Sequence, residues 1–122
     1  MRTARHLLPL LALSALVACA QKVQAPVADA GPDATVNTGA FVQLTGKGTD
    51  PQGRALAFAW TFAKRPLGST ATLTDAQTAT PSFLADVPGQ FELQLVVSNS
   101  ILLSSPDTVV ITATTCGATA PV

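Results

Sequence analysis

The sequence has few of the residues that carry enzyme chemistry. Its 122 residues include one histidine, one tryptophan, two cysteines and no tyrosine. The histidine is His6, in a signal-like leader, so the mature chain lacks the commonest general base and the commonest zinc ligand. This excludes a Ser-His-Asp triad and a histidine zinc site. The acids lie mostly in predicted turns, which does not indicate a glycosidase pair either, so we expect no enzyme activity.

Charge is also scarce, because only 11% of the residues are charged. After the leader, five basic side chains stand against seven acidic ones, a net charge of about −2 at neutral pH. The only adjacent basic pair is Lys64-Arg65. We interpret it as a solvated strand end, with contact to an anionic glycan or lipid headgroup as the alternative. Nucleic acid is not an expected partner, since phosphate binding needs a clustered basic surface.

The apolar run near the start predicts a secretion signal over residues 1–18. Arg2 and Arg5 precede residues 7–17, which are apolar apart from Ser14. The run is shorter than the roughly 20 residues that a membrane-spanning helix needs. The sequence that ends the leader, Leu16-Val17-Ala18-Cys19, resembles the lipobox of bacterial lipoproteins.

The lipobox resemblance implies a lipid anchor on Cys19. In that family the thiol receives a diacylglyceryl group, the leader is cut before the cysteine, and the new amino group is acylated, commonly with palmitate. Several acyl chains hold a protein stably where one binds only marginally. Ala20 rather than Asp follows the cysteine, which implies the outer membrane, on its periplasmic or its surface face. The alternative is ordinary signal cleavage near Cys19, which would release a soluble secreted or periplasmic protein.

The rest of the chain divides into three predicted parts. Residues 19–25 form a short tether, residues 26–114 form one domain, and residues 115–122 form a tail of small residues. Cys116 lies in the tail and has no intramolecular partner once Cys19 is lipidated or removed. We expect a free thiol there, with an intermolecular disulfide as the alternative in an oxidising compartment.

The domain is organised around a turn that leads into a strand. The sequence Asp50-Pro51-Gln52-Gly53 is typical of a turn. After it, Phe58, Trp60 and Phe62 alternate with smaller residues, which places the three rings on one face of a strand. We predict that they form the core together with Phe91.

Short strand-like segments fill the remainder of the domain. They are predicted over residues 26–33, 34–37, 41–45, 56–64, 71–74, 80–84, 91–99 and 108–113. Residues 46–49 are predicted only to lead into the central turn. No stretch beyond the leader shows a sustained helical period. The pattern predicts an all-β fold, an immunoglobulin-like antiparallel β-sandwich of about seven strands.

In order and spacing, several motifs resemble a PKD domain, the polycystic kidney disease repeat, in its bacterial extracytoplasmic form. They are Ala28-Asp29-Ala30-Gly31-Pro32-Asp33, Val42-Gln43-Leu44-Thr45-Gly46, Asp50-Pro51-Gln52-Gly53, Phe58-Ala59-Trp60, Arg65-Pro66-Leu67-Gly68-Ser69, Pro81-Ser82-Phe83, Gly89-Gln90-Phe91 and Asp107-Thr108-Val109. The Trp-Asp-Phe-Gly-Asp-Gly form of the family is absent, and the fit is to the form with an Arg-Pro-x-Gly-Ser loop.

The PKD resemblance implies a non-enzymatic module for contact with a protein or a carbohydrate. We therefore predict a lipid-anchored cell-envelope module that holds another envelope protein. The alternatives are a surface adhesin or glycan-binding module and a structural subunit that pairs through its first and last strands. An exposed aromatic cluster would favour a glycan, and a flat apolar edge would favour a protein.

Calcium is the one cofactor that the resemblance makes relevant, because some PKD domains bind it through acidic loops. Asp29, Asp33 and Asp50 lie where such ligands would come from. The alternative is that Asp50 caps its own turn and the other two are solvated. Gln52 in place of an acid lowers the expected calcium affinity.

Overall fold

The structure, a computed structural model, describes residues 22–115, and Cys19, Cys116 and the predicted signal peptide lie outside that range. Eight strands follow in chain order: β1 (Val27–Asp29), β2 (Ala34–Asn37), β3 (Phe41–Gln43), β4 (Lys47–Thr49), β5 (Ala57–Lys64), β6 (Ser82–Leu84), β7 (Gly89–Ser98) and β8 (Asp107–Thr114). Over the same range, no helix has the length and apolar character needed to span a membrane.

The strands form the two layers of a β-sandwich. One layer is a four-stranded sheet in the order β2-β8-β7-β5. The other layer consists of the pairs β1-β4 and β3-β6, which are continuous because β3 and β4 follow one another along residues 41–49. The predicted all-β immunoglobulin-like fold is confirmed, with eight strands instead of about seven.

Two local predictions were wrong. Lys47–Thr49 is a strand, although Gly48 at its centre gives it little strand character, because it pairs with β1. Residues 71–74 form no strand, and only Thr74 makes a bridge, to Ser82. The reason is that side chains form hydrogen bonds with the backbone of Ala71. The Arg65 guanidinium donates to its carbonyl oxygen, and the Ser69 hydroxyl accepts from its N–H.

One strand pair departs from the predicted antiparallel arrangement, because β2 runs parallel to β8. The chain changes layers between β1 and β2, and Gly31 has a φ of +86° in that connection. As a result β8 has β7 on one side, and on the other side β2 covers its second half, from Ile111 to Thr114. This half of the last strand is therefore closed to the edge-to-edge pairing that the structural-subunit alternative needs.

The core lies between the two layers and is centred on β7. Its side chains Phe91, Leu93, Leu95 and Val97 alternate inward and are fully buried, as their period of two predicts. Trp60 faces Leu95 across the β5-β7 ladder and is 3% exposed.

The aromatic residues of β5 divide between the core and its rim. The Trp60 indole N–H donates to the Thr78 carbonyl oxygen at 3.0 Å, which satisfies its polar atom inside the sandwich. Phe58 and Phe62 are half-buried and pack against the core from its edge. A Cβ on Gly46 would lie 2.5 Å from Trp60 Cζ2, so the indole fits because that position has no side chain.

Candidate functional site

The large apolar side chains that the described residues expose fall mainly into two groups. One group lies on the outer face of the β3-β6 pair and the other on the loop between β7 and β8. The whole set comprises Val27, Phe41, Leu67, Leu84, Ile101, Leu102 and Leu103. We call Phe41, Leu84 and the groove beside them the contact surface, and residues 101–103 the apolar loop.

The contact surface has two apolar side chains placed next to each other. Phe41 pairs with Leu84 across the β3-β6 ladder, so both side chains leave the same face of the sheet. Val42 and Phe83 point into the core, and strand alternation therefore turns their neighbours outward. Phe41 is 80% exposed and Leu84 is 37% exposed.

A groove of about 250 Å³ runs beside this pair, lined on its other side by residues of the segment 70–74 and by Asp86. The Asp86 carboxylate accepts hydrogen bonds from the Ser69 hydroxyl and the Thr70 N–H, both at 2.7 Å. These hydrogen bonds hold the pKa of Asp86 below its ordinary value, and the bond from Ser69 has the largest effect. Arg65 donates to the Ala71 carbonyl oxygen at 2.6 Å, so hydrogen bonds fix the groove wall in place.

The Arg-Pro-x-Gly-Ser loop that carries part of the family resemblance is therefore a support for this wall. Its first and last residues, Arg65 and Ser69, make the bonds that hold the groove wall. The Arg65 guanidinium also lies over the Phe62 ring, 5.4 Å from its centroid. Lys64, its neighbour, is exposed as predicted for a strand end.

The opposite end of the domain is held together by Asn99, which the sequence analysis did not single out. Asn99 is 2% exposed. Its amide nitrogen donates to the Gln24 carbonyl oxygen at 3.1 Å and to Asp50 Oδ1 at 2.8 Å. Its amide oxygen accepts from the N–H groups of Ile101 and Leu102 at 3.0 and 2.8 Å. One buried side chain thus joins the entering chain, the central turn and the apolar loop. The sequence signal for this role is a polar residue, an asparagine, directly after the longest apolar strand.

The central turn forms as predicted and also binds the entering chain. Asp50 Oδ2 accepts from the N–H groups of Gln52 and Arg54, at 3.0 and 2.9 Å. The bond from Arg54 and the bond from Asn99 are the main causes that lower the Asp50 pKa. The Gln52 amide nitrogen donates a hydrogen bond to the Lys22 carbonyl oxygen, and the Gln52 amide oxygen accepts one from the Gln24 N–H. Residues 22–24, predicted as tether, are therefore attached to the domain.

The three acids that the family resemblance suggested as possible calcium ligands, Asp29, Asp33 and Asp50, are held by separate hydrogen bonds. Asp29 accepts a bond from the Gly31 N–H and Asp33 accepts one from the Val110 N–H, while Asp50 caps its own turn. Asp29 and Asp50 also lie at opposite ends of the β1-β4 pair. Within residues 22–115, no three or more His, Cys, Asp or Glu side chains are grouped so that they could hold a metal ion. These carboxylates stabilise turns and connections between strands.

Comparison with solved structures gives the same fold. The chain is similar to the PKD domain from human KIAA0319, with a TM-score of 0.67 and 14% identity over 84% of this chain and 92% of that one. It is also similar to the PKD domain from the KIAA 1837 protein, with a TM-score of 0.62 and 21% identity over 83% of this chain and 99% of that one. No curated protein matches the sequence.

The family follows from the sequence itself. The family model described as "K319L-like, PKD domain" matches residues 30–113, which contain all of the contact surface, the central turn and the apolar loop. Modules of this kind typically make protein–protein or adhesion contacts and are generally non-enzymatic. The chain therefore belongs to the K319L-like PKD domain family.

Proposed function

We propose that this chain is a non-enzymatic module, anchored to the outer membrane by lipid on Cys19, that holds another envelope protein through its contact surface. The observation that carries the proposal is Phe41, a large apolar side chain left 80% exposed beside Leu84 on a hydrogen-bonded scaffold. An exposed apolar patch with a polar rim is typical of a surface that binds another protein.

The composition of the surface favours a protein over a glycan. Phe41 is the only aromatic residue among the large apolar side chains that residues 22–115 expose, so this range offers no row of rings for sugar stacking. Trp60, the strongest candidate for such a ring, is buried and hydrogen-bonded. The groove beside Phe41 is instead lined by threonines of the segment 70–74, which can donate and accept hydrogen bonds at the rim.

The position of the surface fits an anchored protein. Phe41 begins the 41–49 stretch, and Thr49 at its other end faces Val27, close to where the chain enters. The two strands of this stretch pair with different partners, β3 with β6 and β4 with β1. The contact surface therefore lies at the end of the domain remote from the anchor, where a partner can reach it.

Fractionation of cells tests the anchor. Wild type and a Cys116→Ala control should stay with the membranes, while Cys19→Ala should become soluble. An unlipidated wild type, or a Cys19→Ala variant that stays with the membranes, would refute the anchor. Protease treatment of intact and of lysed cells then determines which face of the membrane the domain occupies.

Sedimentation of membrane extracts tests the contact. Wild type should sediment as a complex, and Phe41→Ser and Leu84→Ser should sediment as free protein. Leu67→Ser is the control, because it removes a fully exposed apolar side chain in the loop at residues 65–69, outside the contact surface. If all three variants sediment like the wild type, the contact surface is not the binding site. If Phe41→Ser and Leu84→Ser lose binding to an envelope glycan, and no protein is bound, the adhesin alternative is favoured.

A further inference from the structure

The apolar loop displays three consecutive large aliphatic side chains to solvent. Ile101 is 55% exposed, Leu102 is 38% exposed and Leu103 is 67% exposed. The loop joins β7 and β8, two neighbouring strands of the main sheet, and it lies outside the contact surface. Three adjacent exposed aliphatic residues are costly in water and indicate a surface with a binding partner.

The loop is held in one conformation by a buried polar network. Asn99 Oδ1 accepts the N–H groups of Ile101 and Leu102, and the Asn99 N–H donates to the Leu102 carbonyl oxygen at 3.2 Å. At the base of the loop, the Ser104 N–H donates to the Val97 carbonyl oxygen at 2.8 Å, and the Ser104 hydroxyl accepts the Val97 N–H at 2.9 Å. The aliphatic side chains are therefore presented on a preorganised turn, which lowers the entropic cost of binding.

The apolar character continues from the loop onto the first strand. A groove of about 450 Å³ is lined by residues 25–28, Leu103 and Pro106, together with the polar residues Ser105 and Asp107. Val27 is itself 60% exposed. The loop and the entry to β1 thus form one apolar end of the domain.

The chain enters the domain at this same end. The Asn99 amide that supports the loop also donates to the Gln24 carbonyl oxygen, and Gln52 holds Lys22. Cys19 precedes Lys22 by three residues. Three residues of chain reach at most about 11 Å, less than half the thickness of a bilayer. Lipid on Cys19 would therefore keep this end of the domain next to the headgroups.

We propose that the apolar loop, together with Val27, docks on the bilayer that holds the Cys19 lipid, with Ile101, Leu102 and Leu103 at the boundary between headgroups and acyl chains. This inference rests on the proposed lipid anchor. The loop acts as a second, non-covalent attachment that fixes the orientation of the domain and directs the contact surface away from the membrane.

The charged side chains at this end balance, with two cations, Lys22 and Arg54, against two carboxylates, Asp50 and Asp107. Lys22 and Arg54 are exposed beside the central turn and can pair with headgroup phosphates. The carboxylates of Asp50 and Asp107 accept backbone N–H bonds, from Arg54 and from Ala30 respectively. Because the four charges balance, the docking depends on the apolar side chains of the loop and not on net charge.

Fluorescence in vesicles tests the docking. The full lipidated chain is purified in detergent and reconstituted into vesicles of phosphatidylethanolamine and phosphatidylglycerol whose acyl chains are brominated. Leu103→Trp and Ile101→Trp place a reporter in the loop, and Leu67→Trp places a fully exposed one in the loop at residues 65–69 as the matched control. Trp60 remains as the same buried background in every variant.

The loop reporters should shift their emission to shorter wavelength on reconstitution and be quenched by the brominated chains, whereas Leu67→Trp should show neither change.

Flotation of the same samples, with Cys19→Ala for comparison, separates the docking from the anchor. If the protein floats and the loop reporters stay unquenched, the docking is refuted and the anchor stands. A blue shift without quenching indicates a second copy or another protein on the loop and also refutes docking on lipid. If wild type and Cys19→Ala both fail to float, the anchor and the docking that rests on it are both wrong.

Discussion

Removing the Asn99 side chain should strongly destabilise the domain. Asn99 is 2% exposed, and its amide makes four hydrogen bonds to three separate parts of the chain. A neutral hydrogen bond contributes about 0.5–1.5 kcal/mol net, and one to a charged group about 1.5–3 kcal/mol. Because the contributions of hydrogen bonds in one network do not simply add, we expect a loss of about 3 kcal/mol in the free energy of unfolding.

Urea unfolding followed by the fluorescence of Trp60 measures this loss, because Trp60 is the only tryptophan and lies in the core. The matched control is Asn37→Ala. Asn37 is the only other asparagine and is exposed at the end of β2, so its replacement should change stability by no more than about 0.5 kcal/mol. A double-mutant cycle with Asp50→Ala should show a coupling energy of about 1 kcal/mol or more. If Asn99→Ala costs no more than the control, the assignment of Asn99 as the link between tether, turn and loop is wrong.

Three further predictions concern the core and the groove wall. Trp60→Ala should cost about 3–5 kcal/mol, the range for large aromatic residues in a core, and a loss below about 1 kcal/mol in chemical unfolding followed by circular dichroism would refute its place there. Gly46→Ala should cost about 1–3 kcal/mol by overpacking, since the new methyl would lie 2.5 Å from the indole, and an unchanged urea midpoint would contradict that contact. Because hydrogen bonds lower the pKa of Asp86 in the folded state, the unfolded chain binds more protons in acid, and wild-type stability should fall as pH drops below the ordinary aspartate pKa of about 4. Asp86→Asn should reduce that pH dependence, and an unchanged acid profile would show that Ser69 and Thr70 do not stabilise the carboxylate.

The parts of the fold that follow from side-chain period could be predicted from the sequence. In β7 the residues alternate without interruption, and the strand lies where the alternation places it. The same holds for β5, where Trp60 is buried. These strands carry enough apolar residues on one face for burial alone to fix their orientation.

The parts that depend on pairing or on side-chain hydrogen bonds could not be predicted in the same way. β4 contains Lys47, Gly48 and Thr49, and it is a strand only because β1 lies beside it. Residues 71–74 have the composition of a strand, yet Arg65 and Ser69 bind the backbone of Ala71. The partner of β4 is distant in sequence, and the bonds to Ala71 come from side chains of the preceding loop, so strand propensity describes neither.

The candidate site shows the same division. Alternation in β3 puts Val42 in the core and predicts that Phe41 faces outward. That Leu84 stands directly beside Phe41 depends on the register of β6, which only the structure gives. The three acids were grouped by their positions in turns, but the folded chain distributes them among separate backbone contacts.

Photo-crosslinking from the contact surface in living cells tests the central claim most directly. A benzoylphenylalanine placed at Phe41 keeps an aromatic side chain at an 80% exposed position, and the same group at Thr61, exposed on β5, is the control. The account predicts one discrete crosslinked envelope protein from position 41 and none from position 61, with the product lost when Leu84→Ser is added. Equal crosslinking from both positions, or none from position 41 in the membrane-bound protein, would contradict the claim that this surface holds a protein partner.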